Sequence, residues 1–184
     1  MVLNIRPITS DEFEKFASLP ANADRLLELI NGEIVEKVPT QLHAFIASLF
    51  NAVLFIYTQT NPIGWVFSEL RVKLPDDTEN DLIPDIAFVL KAGRTFEPDA
   101  PLTYMPDLII EIQSPGQSDK FMIDKAAYYL ANGSRLVWIV YPSKRLVEAL
   151  TTTTRDLLTE RDTLRAADLL PGFTLPVADI FRQV

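Results

Sequence analysis

The sequence predicts a mixed α/β fold in which helices pack against one central sheet. Two short apolar runs, Leu108–Ile112 and Leu136–Tyr141, have the length and the β-branched content of buried strands. The second run is almost continuously apolar, which is typical of a strand covered on both faces. A longer segment at 41–58 carries apolar residues at helical spacing. Helices combined with strands of this kind favour an α/β arrangement.

The N-terminal part predicts a short helix followed by a β-hairpin. Thr9 or Ser10 can cap a helix that ends near residue 18, and acidic residues occupy its first turn. The dipeptide Asn31-Gly32 separates two apolar segments and is the strongest short signal for a hairpin turn. We therefore expect a tight turn there.

The segment at 41–58 predicts a long helix with Thr40 as its N-cap. Its apolar stripe consists of Leu42, Phe45, Ile46, Leu49, Val53, Leu54 and Tyr57. His43, the only histidine, lies in the first turn, where a histidine is usually just a polar residue at a helix start. Its position alone does not assign it a function.

The middle of the chain predicts further strands at 65–68, 70–74 and 84–90. The last of these opens with Pro84, where the missing N–H group is tolerated. A loop rich in proline and charge follows at 91–104.

The C-terminal part predicts a second helix, a hairpin partner strand and a docking helix. The helix begins at Ser118 or Asp119 and is stopped by Asn132-Gly133. Residues 145–150 are the expected hairpin partner of Leu136–Tyr141. The tail at 169–181 predicts a short strand, a turn and a C-terminal helix.

Composition predicts one cytoplasmic domain spanning residues 1–184. This length suffices for a full core, and 48% of the residues are hydrophobic. The chain has no cysteine, which excludes disulfides, thiolate metal sites and cysteine nucleophiles. We expect no membrane span, because no uninterrupted apolar run has the required length of roughly 18 residues. Residues 1–6 lack the layout of a signal peptide.

The charge balance argues against broad binding to a polyanion. Seventeen basic and 25 acidic residues give a net charge of −8. A nucleic-acid function therefore requires a local collection of basic side chains around a cleft, for which the candidates are Arg71, Lys73, Lys91, Arg94 and Lys120.

Glu111 places a carboxylate inside the most strongly predicted strand. A buried carboxylate without partners costs several kcal/mol, so a buried Glu111 is expected to have partners. Alternation puts Glu111 on the same strand face as Ile109 and Gln113. Two interpretations stay open: a functional site, or a strand end at which Glu111 reaches solvent.

Asp85, Glu111 and Lys125 together have the chemistry for phosphodiester hydrolysis. Carboxylates on neighbouring strands can bind Mg²⁺, which takes oxygen ligands and acidifies a bound water. A nearby lysine can orient or deprotonate that water and balance the charge on the phosphate. Gln113 is neutral and can only donate or accept hydrogen bonds.

These residues fall in an order that resembles a known family. The ordered motifs are Asn31-Gly32-Glu33-Ile34-Val35, His43 early in a helix, Pro84-Asp85-Ile86-Ala87-Phe88-Val89, Pro106-Asp107-Leu108-Ile109-Ile110-Glu111-Ile112-Gln113-Ser114-Pro115, Lys125 with Tyr128 or Tyr129, and Leu136-Val137-Trp138-Ile139-Val140-Tyr141-Pro142. The pattern resembles the Uma family of endonucleases, once a domain of unknown function, in the PD-(D/E)XK restriction-endonuclease-like superfamily. The resemblance covers roughly residue 26 to the C-terminus.

The resemblance implies a restriction-endonuclease-like sheet flanked by helices, with an N-terminal helix and hairpin. It also implies an endonuclease that hydrolyses DNA through a water activated by Mg²⁺ or Mn²⁺. Asp85 and Glu111 would bind the metal, and Glu33 and His43 would lie near it. Gln113 stands where the superfamily usually has lysine. The cation then looks relocated to Lys125 on the following helix, with Lys120 as the other candidate.

Two alternatives remain. Gln113 and the net charge of −8 favour a nuclease-fold protein that has lost cleavage and serves as a binding or assembly module. A closed, small pocket would instead favour hydrolysis of a small phosphodiester. For the nuclease, the expected substrate is DNA and the expected assembly is a homodimer or higher homo-oligomer, which would present two clefts to a duplex. The sequence singles out no recognition helix and no aromatic stacking platform for bases.

Overall fold

The computed structural model describes residues 6–182 of the chain. Its helices are α1 Ser10–Ala17, α2 Gln41–Thr60, α3 Asp119–Ala131 and α4 Val177–Phe181. Its strands are β1 Leu27–Ile30, β2 Glu33–Glu36, β3 Gly64–Ser68, β4 Ile86–Leu90, β5 Leu108–Ile112, β6 Leu136–Tyr141, β7 Leu146–Leu150, β8 Arg155–Thr159, β9 Thr163–Arg165 and β10 Thr174–Pro176. Apart from Arg6, the segment on which a signal peptide was judged lies outside the described residues.

Six strands form one mixed sheet in the order β3-β4-β5-β6-β7-β8. Strands β5 and β6 run parallel, and the other neighbouring pairs are antiparallel. A parallel pair needs a long crossover connection, and α3 forms part of it. The predicted α/β fold, with its central sheet, flanking helices, N-terminal helix and hairpin, is therefore confirmed.

Different helices cover the two faces of the sheet. On one face, Ile110 and Trp138 pack with Phe50 of α2. On the other face, Ile109 packs with Tyr129 of α3. Because side chains alternate along a strand, any residue of β5 on the face of Ile109 lies on the α3 side of the sheet.

The predicted hairpin forms and is tied to the segment that leads into β4. Asn31 and Gly32 have φ angles of 50° and 74°, as a tight turn with two left-handed residues requires. Leu29 in β1 exchanges backbone hydrogen bonds of 2.9 Å with Asp81 in both directions. These bonds hold the hairpin beside the central sheet.

The strand expected at 70–74 does not form. Strand β3 ends at Ser68, and Glu69 adopts a left-handed φ of 50°, which no regular strand contains. Beyond it, Val72 makes only isolated bridges, to Leu82 and Leu102. Alternating apolar residues there predicted a strand, but Val72 and Leu74 pack into the core on the α3 side without forming one.

The tail is confirmed in its helix and shifted in its strand. The expected docking helix is α4, whereas the short strand lies at Thr174–Pro176 rather than at 169–173. Strands β8 and β9 were not predicted, because polar residues make up more than half of them and their leucines give no apolar alternation.

Helix α2 is long and apolar. By length and composition alone it could cross a membrane, with a mean hydropathy of 1.4. The expectation of no membrane span counted only uninterrupted apolar runs, and Ser48 and Asn51 interrupt this segment, so a test on average composition includes a helix that the run length did not. The buried side chains of α2 pack on the sheet, as those of a core helix do, so the composition is weak support for a membrane span.

Phe50 and Phe55 of α2 provide a matched test of which helix face carries the stability. Phe50 is completely buried, whereas Phe55 is 60% exposed. We expect Phe50→Ala to lower the free energy of unfolding by about 3–5 kcal/mol, because it leaves a cavity against the sheet. Phe55→Ala should change it by no more than about 0.5 kcal/mol. Urea denaturation of both variants checks this, and equal losses would contradict the packing described.

Candidate active site

Asp85 and Glu111 lie opposite each other on neighbouring strands. Antiparallel β4 and β5 pair Ile86 with Ile110, so continuing the register by one residue places Asp85 opposite Glu111. Directly opposite residues project to the same face, which here is the α3 side. Both side chains are buried, with 3% and 4% exposure. Of the two interpretations left open for Glu111, the structure excludes a strand end at the solvent.

Three donors surround the carboxylate of Asp85. The backbone N–H of Ile112 donates to Oδ2 at 2.8 Å, and Nε2 of His43 lies 3.0 Å from the same oxygen. The ammonium of Lys37 forms an ion pair with Oδ1. Burial alone would raise the pKa of Asp85, but the hydrogen bond from His43 and the charge of Lys37 hold that pKa well below its usual range. Asp85 is therefore ionised at neutral pH.

Glu111 is held through one of its two oxygens. Its Oε1 accepts a hydrogen bond from the hydroxyl of Tyr129 at 2.6 Å and lies 2.9 Å from Nζ of Lys125. Among the described residues, none donates a hydrogen bond to Oε2. Burial raises the pKa of Glu111, the charge of Lys125 lowers it, and the nearby carboxylate of Asp85 raises it, with a net upward shift.

Glu28 of β1 anchors Lys125. Its two oxygens lie 2.9 Å and 3.1 Å from Nζ of Lys125, and Oε1 also accepts the N–H of Ile83 at 2.7 Å. Burial alone would lower the pKa of Lys125, but the carboxylates of Glu111 and Glu28 raise it above its usual value. Lys125 therefore keeps its proton at neutral pH.

These residues surround a cavity of about 140 Å³. Its charged and ionisable lining residues are Glu36, Lys37, His43, Glu69, Asp85, Glu111 and Lys125. The side chain of Lys37 is 11% exposed, whereas that of Lys125 is 3% exposed. Lys37 is thus the better placed of the two cations to contact a molecule that enters the cavity.

The structure brings Asp85, Glu111, Lys125 and His43 together, but not Glu33 or Gln113. Glu33 is exposed and lines a separate cavity of about 220 Å³. The amide of Gln113 donates to the carbonyl of Gln117 at 3.0 Å and to Asp119 at 3.1 Å. Both candidates therefore lie outside the cluster that the other four form.

The basic residues expected around the cleft do not line the cavity. Most have acidic partners of their own: Arg71 pairs with Asp81, Lys73 with Glu14, Arg94 with Asp107, and Lys120 with Asp124. The positive charge of the site comes instead from Lys37 and Lys125.

Sequence reasoning missed Glu28 and Lys37. Glu28 had a usable signal, because it lies between Leu27 and Leu29 in a strand just as Glu111 lies between isoleucines. Lys37 follows β2 among polar residues and has no pattern that separates it from a surface lysine.

A family model matches the chain, and a solved structure shares its fold. The family model described as "Uma2: Putative restriction endonuclease" matches residues 12–178. A crystal structure described as a putative nuclease belonging to DUF820, from Anabaena variabilis, superposes with a TM-score of 0.81 at 24% identity. The match covers 96% of this chain and 98% of the other. No curated protein matches the chain.

Two glutamates of the hairpin test how strongly the buried network depends on Glu28. We expect Glu28→Ala to lower the free energy of unfolding by about 3–5 kcal/mol, because Lys125 loses one of its two buried carboxylate partners. Glu36→Ala removes an ion pair with Arg25 in which both side chains are more than one-third exposed, and should cost at most about 1 kcal/mol. Urea denaturation measures both costs, and equal costs would show that Glu28 does not stabilise Lys125.

Proposed function

This chain belongs to the Uma2 family, and on that basis we propose that it is an endonuclease that hydrolyses DNA phosphodiester bonds with a divalent metal ion, Mg²⁺ or Mn²⁺. The observation that carries the proposal is the pair of carboxylates, Asp85 and Glu111, which lie opposite each other and line one cavity. Two protonated lysines beside them supply positive charge for a phosphate.

The donor set fits a hard cation such as Mg²⁺. Mg²⁺ is usually held by one or two carboxylates while it keeps several waters. Within the described part of the chain there is no group of three or more histidine or acidic side chains disposed to hold a metal. The carboxylates of Asp85 and Glu111 match the lower ligand number, and Oε2 of Glu111 is not engaged in a hydrogen bond with a described residue.

The backbone of Ile112 offers a third oxygen. Its N–H donates to Asp85 beyond the last paired residues of β4 and β5. In a strand the C=O of a residue points to the same side as its N–H, so this carbonyl also faces the gap next to Asp85. Asp85, Glu111 and Ile112 would thus hold the ion, which when bound supplies Lewis acidity to the phosphate and acidifies a water.

The two lysines supply charge rather than a base. Lys125 keeps its proton because Glu111 and Glu28 raise its pKa. Burial alone would lower the pKa of Lys37 as well. The negative charge of Glu111 opposes this most strongly, and the pKa of Lys37 is raised overall. Of the roles that the sequence left open for Lys125, orientation of water and stabilisation of phosphate charge are favoured over proton abstraction.

His43 and Tyr129 act on the carboxylates. The Nε2–H of His43 donates to Asp85, and the hydroxyl of Tyr129 donates to Glu111. Such donors fix the orientation of metal-binding carboxylates. A homodimer or higher homo-oligomer and a cytoplasmic location are part of the same proposal, and both stay predictions.

An inactive binding module is the competing function. Lys37 forms an ion pair with an oxygen of Asp85, and Gln113 does not replace the missing lysine. In that case the cluster is a buried ion network that binds no metal or does not cleave.

Substitution of the two carboxylates tests the proposed reaction. We expect the wild type to bind Mn²⁺ in calorimetry and to nick plasmid DNA. Asp85→Asn and Glu111→Gln should each reduce both by more than the roughly 10–100-fold typical of outer-shell partners. Glu33→Gln, an acidic substitution outside the cluster, is the control and should retain both. Metal binding without nicking would support the inactive module, and no binding by folded wild type would overturn the metal site.

Substitution of Lys37 separates metal binding from cleavage. We expect Lys37→Met to bind Mn²⁺ more tightly, because Asp85 loses a competing cation. The same variant should nick DNA about 10-fold more slowly or worse, because a donor to the phosphate is lost. Lys120→Met, on the exposed surface of α3, is the matched control. Unchanged metal affinity together with unchanged nicking would remove Lys37 from the site.

A further inference from the structure

Four aromatic side chains, Trp65, Phe67, Phe96 and Tyr104, line another cavity of about 220 Å³, at the β3 edge of the sheet and apart from the one that Glu33 lines. Trp65 and Phe67 belong to β3, and Phe96 belongs to the loop between β4 and β5. The ring centroid of Phe96 lies 5.7 Å from that of Trp65 and 5.9 Å from that of Phe67, to which it is nearly parallel. The sequence showed no such platform, because Phe96 is isolated in a loop rich in proline and charge.

The rings share a sheet face with the carboxylates of the candidate active site. β3 pairs Trp65 with Val89 and Phe67 with Ala87, and opposite residues project to one face. Asp85 precedes Ala87 by two residues and therefore lies on the same face. Glu69, which follows Phe67 by two residues, lines the cavity of the candidate active site.

The aromatic cavity and the cavity of the candidate active site are therefore neighbours, because Phe67 lines the first and Glu69 lines the second. Within β3, at about 3.4 Å per residue, Trp65 and Phe67 lie roughly 7 Å apart, and the strand ends at Ser68, directly before Glu69. This separation is about twice the 3.4 Å spacing per nucleotide along one strand of a duplex, so it suits bases of an extended, unpaired strand.

Phe96 offers a ring face that nothing in the described chain covers fully. Its side chain belongs to the exposed large hydrophobic residues, with 51% exposure. Packing against Phe67 and Trp65 keeps the ring in place, so little conformational entropy is lost when a flat partner stacks on it. Within residues 6–182, Glu97 is the one acidic residue that lines the cavity, and the ammonium of Lys91, 5.5 Å from the centroid of Trp65, supplies positive charge next to the lining.

We propose that this aromatic cavity binds an unpaired nucleobase of the DNA strand, so that the chain prefers single-stranded or locally opened DNA. The inference rests on the proposed nuclease function and names its substrate class. A paired base inside a duplex is stacked on both faces, and only an unpaired or extruded base can stack on protein rings. Lys91 then faces the backbone phosphate of the bound nucleotide.

Stacking also suits the acidic character of the chain. With a net charge of −8, general electrostatic attraction to DNA is weak. Contact between an aromatic ring and a base does not depend on the net charge, and it tolerates any sequence because every base has a flat face.

Binding in metal-free buffer with EDTA tests the inference without cleavage. We would measure the fluorescence anisotropy of a labelled 12-nucleotide single strand and of its duplex. The wild type should bind the single strand more tightly, and Phe96→Ala should weaken that binding by about 5- to 150-fold, as expected for loss of one base stack. Phe96→Trp should restore it, because the ring is retained. Phe55→Ala removes a comparably exposed ring on the opposite sheet face and is the control.

A spectroscopic readout reports on the cavity itself. Single-stranded DNA should quench the emission of Trp65, and Trp65→Phe should abolish the quenching, because the other tryptophan, Trp138, is completely buried. Equal affinity of wild type and Phe96→Ala for the single strand, or no quenching, would overturn the inference.

The same samples distinguish this inference from the nuclease proposal. Single-strand binding that depends on Phe96, without metal-dependent nicking, would support the base site and refute the nuclease. Nicking that depends on Asp85, with binding indifferent to Phe96, would support the nuclease and refute the base site.

Discussion

The bridge from Glu28 through Lys125 to Glu111 is the interaction on which the rest of the site depends. Each of the three side chains is at most 5% exposed, so none can rely on water to stabilise its charge. The bridge joins the N-terminal hairpin, helix α3 and central strand β5. The attraction between Lys125 and the two carboxylates offsets the desolvation free energy of burying all three groups. It also fixes the carboxylate of Glu111 beside that of Asp85.

The charges of the buried side chains in the site nearly balance, whereas the exposed Glu36 and Glu69 add negative charge to the lining of the cavity. Asp85, Glu111 and Glu28 bring three negative charges, and Lys37 and Lys125 return two. The remaining negative charge attracts a dication, and the two lysines reduce the repulsion that a phosphate would otherwise meet. The acidic surface outside the cavity then disfavours contacts with long polyanions and leaves recognition to short-range features.

The sequence predicted those parts of the fold and site in which a residue conflicts with its surroundings. Glu111 stood out because a carboxylate interrupts an apolar strand, and Asp85 because it follows a proline that opens one. Glu28 interrupts its strand in the same way, but Glu33 was chosen as the candidate of the hairpin instead. Glu33 follows the turn and is exposed. Lys37 could not be found, because only the three-dimensional path of the loop after β2 brings it to Asp85. The aromatic cavity could not be found either, since the loop of Phe96 must fold back on β3 before the rings meet.

Glu28 and Lys125 are separated by 97 positions in the chain. During synthesis the hairpin therefore leaves the ribosome long before α3 exists, and its buried carboxylate has no cation to accompany it. The backbone bonds between Leu29 and Asp81 need only the first half of the chain, but the bridge from Glu28 to Lys125 must wait for the second half, because it closes a much longer loop. The charged centre is consequently a late step of folding, and a nascent or truncated chain that ends before α3 cannot assemble it.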